Sequence, residues 1–196
     1  MVLFEIYRDR IYTRNFPPLS RGASVLDIGA NVGLFAVQVA RLGARVTAVE
    51  PNPAALALLN ENVSANGVQD QVRILPAAVG SRAGSAELFL GRNSIDCSLF
   101  RPSGPSVRVR VIALDELLRL TGPVDLLKLD AEGAEFDLLW HAPEQAWQQV
   151  SRLAVEVHAD VAEPTPRPEV LARLGRLGFR VVAERDRCIF CDRNRS

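Results

Sequence analysis

Two kinds of apolar segment alternate along most of this chain, and this alternation limits the fold more than any other feature of the sequence. Short runs rich in Val, Ile and Leu are followed by longer segments whose apolar residues recur at helical spacing. The first such pair is 24–29 with 32–43, and the second is 45–50 with 52–67. Repeated strand–helix pairs predict an α/β protein with a doubly wound, mostly parallel sheet.

The later part of the chain continues this pattern after one interruption. Residues 85–90 and 106–114 alternate apolar and polar side chains, which predicts two extra strands around a loop rich in Gly, Ser, Pro and Arg. The other predicted strands are 71–75, 124–130 and 151–158, the predicted helices are 114–120 and 166–178, and 134–140 is a helix or turn. Residues 179–184 and 188–191 are expected to form a closing antiparallel hairpin.

Length and composition indicate one globular domain. A chain of 196 residues that is 48% hydrophobic can bury a sizeable core, which excludes global disorder. We expect residues 1–22 to form an N-terminal extension and residues 23–196 a single domain, with a β-rich insertion at 84–113 as the candidate substrate side. No apolar run reaches transmembrane length, and the N-terminus lacks the order of a signal peptide. We therefore expect a soluble, cytoplasmic protein with no membrane partner.

The balance of acidic and basic residues indicates which class of partner the protein binds. The chain has 23 basic and 23 acidic residues, so its formal net charge is zero. Enzymes that act on nucleic acids usually carry a basic surface, so nucleic acid is not the expected partner.

Cys188 and Cys191 form a C-x-x-C motif inside a predicted strand. A structural zinc site needs about four ligands, and a redox motif of this type usually opens a helix near a βαβ start. We therefore interpret these cysteines as structural or incidental rather than as a redox or metal site.

The loop after the first predicted strand has the features of a nucleotide site. Gly29 and Gly33 let the backbone approach a ligand closely, and the following helix offers unpaired N–H groups at its N-terminus. The dinucleotide fingerprint demands glycine at two positions where this chain has Asn31 and Leu34. The loop instead follows the acidic-x-G-x-G-x-G pattern of S-adenosylmethionine (SAM) enzymes, with Asn31 in the middle glycine slot. Asp27 is then expected to hold the ammonium group of SAM, directly or through water.

The second predicted strand ends in Glu50, followed by Pro51 and Asn52. Glu50 lies about 20 residues after Gly29, where an acidic residue accepts hydrogen bonds from a ribose diol. Asn52 is expected to cap the next helix. SAM and dinucleotides both contain a ribose diol, so Glu50 indicates a nucleoside without choosing between them. The predicted cofactor-binding residues are Asp27, Gly29, Asn31, Gly33, Glu50, Pro51 and Asn52.

Five segments, taken together, resemble the FkbM family of SAM-dependent methyltransferases. They are VLDIGANVGLFAVQVARLG, VTAVEPNPAALALLNENVSANG, AAVG, VIALDELL and LLKLDAEGAEFDLL. The LKLDAEGAE block is the most specific, because it resembles the K-[IL]-D-x-E-G-x-E run typical of this family. Residues 96–100 also resemble a serine-containing substrate-side loop of the family.

The resemblance implies a seven-stranded Rossmann-like methyltransferase sheet and SAM as the cofactor. It also implies methyl transfer to oxygen, typically a hydroxyl of a sugar or secondary metabolite. The partner is thus expected to be a small-molecule or glycan acceptor. The chain is close to a minimal catalytic core, so we expect the elements that cap the substrate to be small or supplied by another subunit of a homo-oligomer.

Charged residues gather where the predicted strand 124–130 ends. A hydroxyl acceptor needs a general base or a metal ion to weaken its O–H bond. Asp130 is the first candidate, as general base, acceptor-orienting group or metal ligand. Lys128 faces the same side of the strand, and is expected to hold the carboxylates or to bind the developing alkoxide. Glu132 is expected to face the site, and Glu135 to cap N–H groups at the start of the next helix.

Glu156 and His158 end the next predicted strand and complete the set of candidate catalytic residues. His158 is either a general base, because imidazole titrates near neutral pH, or a strand-end histidine satisfied by backbone. With Asp130, these two residues offer oxygen and nitrogen ligands for a divalent ion such as Mg²⁺ or Mn²⁺. His141 is expected to be structural.

Three functions are compatible with these features. The first is a SAM-dependent O-methyltransferase that acts on a small molecule or glycan. The second is a methyltransferase that acts on nitrogen or on RNA, against which stand the zero net charge and the lack of an N-P-P-[YF] run. The third is a non-catalytic SAM-binding or partner-binding protein, in which the carboxylates form a structural network.

Overall fold

The computed structural model describes residues 12–91, 97–98, 104–158 and 167–193, and for 97–98 only the backbone. The strands are β1 (Ser24–Ile28), β2 (Arg45–Val49), β3 (Val72–Leu75), β4 (Ala78–Gly80), β5 (Gly84–Leu90), β6 (Cys97–Ser98), β7 (Ser106–Ala113), β8 (Leu126–Leu129), β9 (Arg152–Glu156), β10 (Arg180–Arg185) and β11 (Cys188–Asp192). The helices are α1 (Leu34–Arg41), α2 (Pro53–Ala65), α3 (Leu114–Thr121), α4 (Ala134–His141), α5 (Glu144–Trp147) and α6 (Arg167–Arg176).

The main sheet has seven strands in the order β10-β11-β9-β8-β1-β2-β3. Strand β1 pairs in parallel with β2 and β8, whereas β11 is antiparallel to both of its neighbours. This confirms the predicted doubly wound sheet with its antiparallel C-terminal strand. The chain moves outward from β1 to β2 and β3, and later returns to the other side of β1. The switch point of the sheet therefore lies between β1 and β8, where ligands of such sheets bind.

The predicted excursion forms a second sheet of four strands, in the order β4-β7-β5-β6. The antiparallel pairing of β5 with β7 confirms the two predicted extra strands. Neither β4, which pairs in parallel with β7, nor the short helix α5 was expected. In the predicted substrate-side loop, 96 and 99–100 lie outside the described residues.

Apolar side chains cover both faces of the main sheet and form two core layers. Leu127 and Leu129 of β8 pack into one layer, whereas Leu126 packs into the other. Cys191 belongs to the first layer and Cys188 to the second. The two thiols therefore lie on opposite faces of the sheet, which excludes a shared metal or redox site. Within the part of the chain that is described, no helix is long and apolar enough to cross a membrane.

Candidate functional site

A cleft opens at the carboxyl ends of β1, β2 and β8. The first loop, the end of β2 and the turn after β8 form its polar side, and residues of the second sheet form its apolar side. Its lining residues are Ile28, Gly29, Asn31, Val49, Glu50, Pro51, Asn52, Ala55, Ala77, Ala78, Val79, Leu88, Asp130, Ala131, Glu132 and Ala134. Most of the predicted cofactor-binding residues therefore meet at one cleft.

The first loop turns repeatedly through the left-handed region of backbone conformation. Gly29, Asn31 and Gly33 have φ angles of 75°, 52° and 81°. A Cβ atom at Gly29 would lie 1.7 Å from the carbonyl oxygen of Asp130, and one at Gly33 would lie 2.1 Å from Cδ1 of Leu59. Contacts within the protein therefore require both glycines, in addition to any contact with a ligand.

Glu50 connects this loop to the loop after β2. Its carboxylate accepts hydrogen bonds from the backbone N–H groups of Asn31 and Asn52, both at 2.8 Å. Burial raises the pKa of Glu50, although the two backbone hydrogen bonds lower it. Each carboxylate oxygen has a second lone pair, so Glu50 retains the capacity to accept from a ribose diol. Asn52 also caps α2, as predicted, because its Oδ1 accepts from Ala54 N at 3.0 Å.

Asn31 supplies a further acceptor at the cleft. Its side-chain Oδ1 is buried and has no hydrogen-bond partner among the residues that the structure describes. Buried polar atoms are normally paired, so an unpaired acceptor on a cleft wall fits a ligand that carries donors. The hydroxyl and amino groups of SAM are such donors, and the residues present therefore fit the cofactor that the sequence predicts.

Asp27 and Lys128 form an ion pair beneath the first loop. They are register partners on β1 and β8, and Lys128 Nζ lies 3.1 Å from Asp27 Oδ1. Lys128 also donates to the carbonyl oxygen of Gly29 at 2.9 Å and lies 3.3 Å from Asp130 Oδ2. Burial lowers the pKa of Lys128, but the two carboxylates outweigh it and raise the pKa above its ordinary value. Asp27 is fully buried and does not line the cleft, so its contact with the SAM ammonium group stays a prediction.

The ends of β8 and β9 bring the predicted catalytic side chains together. His158 Nε2 lies 3.9 Å from Asp130 Oδ1, 3.7 Å from Glu156 Oε1 and 3.8 Å from Glu132 Oε2. Asp130, Glu156 and His158 each offer one potential ligand atom, and these three atoms lie within 4.8 Å of one another. The ends of two neighbouring strands therefore direct their polar side chains at one point beside the cleft.

The orientation of His158 is fixed by Glu135. The Nδ1 atom of His158 lies 3.1 Å from Glu135 Oε1, and the same carboxylate accepts from the backbone N–H groups of Ala131 and Gly133. Glu135 thus has the predicted capping position, and His158 is held by a carboxylate rather than by backbone. Burial lowers the pKa of His158, but the hydrogen bond and the charges of the carboxylates outweigh it and raise the pKa to about 9.

Tyr12 belongs to the same cluster, although it is not among the site residues predicted from the sequence. Its hydroxyl lies 3.0 Å from Glu156 Oε2 and 3.3 Å from Asp130 Oδ2. Its ring packs edge-on against Phe35 at 5.5 Å, and Lys128 Nζ lies 5.2 Å from the ring centroid. Tyr12 lies in the segment RDRIYTRNF, which has no motif or regular apolar spacing, so no local pattern predicts these contacts.

The cluster carries more negative than positive groups. Five carboxylates (Asp27, Asp130, Glu132, Glu135 and Glu156) surround the two cations Lys128 and His158. Burial and the neighbouring carboxylates raise the pKa values of Glu132 and Glu156. Such a site attracts a positively charged ligand. His141 lies outside it, on the exposed end of α4, where its Nδ1 lies 3.2 Å from Asp137 Oδ1.

Comparisons with known proteins agree with this geometry. A family model described as the methyltransferase FkbM domain matches residues 27–181. The methyltransferase sdnD of Sordaria araneosa is 28% identical, over 92% of this chain and 82% of that protein. The 31-O-demethyl-FK506 methyltransferase FkbM of Streptomyces tacrolimicus is 29% identical, over 93% of this chain and 82% of that protein.

A solved structure shows the same fold. The crystal structure of the methyltransferase FkbM from Methylobacillus flagellatus KT superposes with a TM-score of 0.65 at 16% sequence identity. The match covers 96% of this chain and 47% of that chain, so the protein spans about half of the length of that structure. At this identity the likeness concerns the fold alone.

Proposed function

The chain belongs to the FkbM family of SAM-dependent methyltransferases, and we propose that it methylates a hydroxyl group of a small molecule or glycan. The observation that carries this proposal is the position of Asp130, which lines the cofactor cleft on one side and meets Glu156 and His158 on the other. A cluster of carboxylates beside a methyl donor is what a hydroxyl acceptor requires, because its proton must be taken up as the methyl group is transferred.

The first loop and the end of β2 supply the cofactor side. SAM, when bound, supplies an electrophilic methyl group on a positively charged sulfonium. Glu50 and Asn31 offer acceptors for its hydroxyl and amino groups from the cleft wall. Lys128 holds the carbonyl oxygen of Gly29, and in this way it fixes the loop on which the cofactor rests. These contacts support SAM as the methyl donor.

The turn after β8 supplies the acceptor side. Asp130 is held at Oδ2 by Lys128 and Tyr12, and its Oδ1 is directed to His158. Asp130 and Glu132 both line the cleft. We assign contact with the acceptor hydroxyl to Asp130. The carboxylates of Asp130 and Glu132 then take up the proton of that hydroxyl. Without a cation at its Nε2, His158 is positively charged at neutral pH, because its pKa is raised to about 9. It therefore stabilises the negative charges rather than accepting a proton.

The proposal is tested with labelled SAM and pools of candidate acceptors. Transfer to hydroxylated metabolites or glycans is the expected result, and Asp130→Asn should abolish it while the calorimetric affinity for SAM stays within twofold. Asp70→Asn, on the exposed surface, is the matched control and should retain full activity. Transfer to RNA or to nitrogen instead of oxygen would overturn the proposal. SAM binding without transfer to any pool would favour a non-catalytic role.

A further inference from the structure

We propose that Asp130, Glu156 and His158 form a binding site for a divalent cation of the Mg²⁺ or Mn²⁺ type beside the cofactor cleft. The site itself follows from the geometry of these side chains. Its role, which is to bind the oxygen of the acceptor hydroxyl, rests on the proposed function.

His158 is buried, and its two ring nitrogens have different surroundings. Its side chain is only 5% exposed, and its Nδ1 is occupied by Glu135. Its Nε2 faces three carboxylates at 3.7, 3.8 and 3.9 Å, and each of these oxygens lies beyond hydrogen-bond distance. A buried ring nitrogen that points into a group of oxygens without touching them leaves room for a bound ion. A carboxylate on the other ring nitrogen is the arrangement that orients histidines at metal sites.

The two oxygens of each carboxylate, in Asp130 and in Glu156, have different contacts. Tyr12 contacts Oδ2 of Asp130 and Oε2 of Glu156, and Lys128 lies 3.3 Å from the same Asp130 oxygen. The other oxygen of each carboxylate faces His158 Nε2: Asp130 Oδ1 lies 3.9 Å from it and Glu156 Oε1 lies 3.7 Å from it. Each carboxylate therefore uses one oxygen to contact the protein and turns the other toward the common point. Tyr12 and Glu135 are positioning residues in this arrangement.

The chemistry of the three ligands favours a hard divalent ion. Two carboxylate oxygens and one imidazole nitrogen suit Mg²⁺ or Mn²⁺ better than soft metals that prefer thiolates. As a ligand His158 is neutral, so five carboxylates around the one cation Lys128 leave negative charge that a divalent ion neutralises. Three protein ligands leave positions open for water or the acceptor hydroxyl. Glu132, which lines the cleft, is then the carboxylate that takes up the hydroxyl proton.

The test is titration of Mn²⁺ into the metal-free full chain, followed by the electron paramagnetic resonance signal of free Mn²⁺. One site is expected in the wild type, weakened tenfold or more in His158→Ala and Glu156→Gln. Tyr12→Phe keeps the ring on Phe35 but removes the hydroxyl, and should weaken Mn²⁺ binding about tenfold. The matched control is His141→Ala, which removes the chain's other histidine and should leave the affinity unchanged.

Equal Mn²⁺ affinity of the wild type and His158→Ala, or an equal loss in His141→Ala, overturns the site. Unchanged affinity in Tyr12→Phe overturns the positioning role of Tyr12. Calorimetry with SAM, run on each variant, shows that the variant is folded and separates the two proposals. SAM binding and methyl transfer without Mn²⁺ binding contradict the cation site alone, whereas Mn²⁺ binding without methyl transfer contradicts the proposed function alone.

Discussion

Replacing Gly29 by alanine should damage the fold and the SAM site together, because of one backbone contact. Gly29 has a φ angle of 75°, and a Cβ atom there would lie 1.7 Å from the carbonyl oxygen of Asp130. Real Cβ contacts are essentially never shorter than 3.0 Å, so the first loop and the end of β8 must separate. Neither atom belongs to a flexible side chain that could rotate away.

The expected loss of stability can be worked out by comparing Gly29 with a second glycine. Gly67 also has a left-handed backbone, with a φ angle of 64°, but a Cβ atom there would meet nothing within 4 Å. Gly67→Ala therefore carries only the conformational cost, about 1–2 kcal/mol. Gly29→Ala adds the cost of overpacking, about 1–3 kcal/mol. The expected loss in the free energy of unfolding is then about 2–5 kcal/mol for Gly29→Ala.

Urea unfolding of both variants measures this difference, and calorimetry measures their affinity for SAM. Gly29→Ala should lose more stability than Gly67→Ala, and it alone should bind SAM at least tenfold more weakly. The reasoning is refuted if the two variants lose equal stability and Gly29→Ala binds SAM as the wild type does.

Three further predictions concern buried groups. Lys128→Met leaves the buried carboxylate of Asp27 without its partner and should lower the free energy of unfolding by about 3–5 kcal/mol. Adding Asp27→Asn to this variant should restore part of the lost stability. Wild-type stability of Lys128→Met in urea would contradict this prediction. Burial raises the pKa of the Cys191 thiol to about 12, so mass spectrometry should find it unalkylated at pH 8 until the protein unfolds, and rapid labelling of the native protein would disprove the assignment. Glu135→Gln weakens charge-assisted hydrogen bonds from two backbone N–H groups and should cost about 1.5–3 kcal/mol; an unchanged melting temperature would count against this role.

The main sheet could be predicted from the sequence because its strands are apolar runs that alternate with segments whose apolar residues recur at helical spacing. The three-residue strand β4 and the four-residue helix α5 are too short to show one. The second sheet depends on pairing between segments far apart in the chain, such as Ala78 with Val111. No local pattern records such a pairing.

Site residues that lie at strand ends could be predicted from the sequence. Contacts that depend on the register between strands could not. Asp130, Glu156 and His158 meet because parallel strands end at the same edge of the sheet. The burial of Asp27 follows from its register with Lys128, which the sequence does not specify. Tyr12 reaches carboxylates that are 118 and 144 positions away, so only the folded chain reveals its role.

The central claim is that the cleft beside Glu50 binds SAM, and a calorimetric titration of SAM tests it most directly. The wild type should bind one SAM molecule. Glu50→Gln should bind at least tenfold more weakly, because removing a charged acceptor costs about 1.5–3 kcal/mol. Glu61→Gln, on the exposed side of α2, should bind as the wild type does. No binding to the wild type, or equal affinity of the wild type and Glu50→Gln, would contradict the assignment.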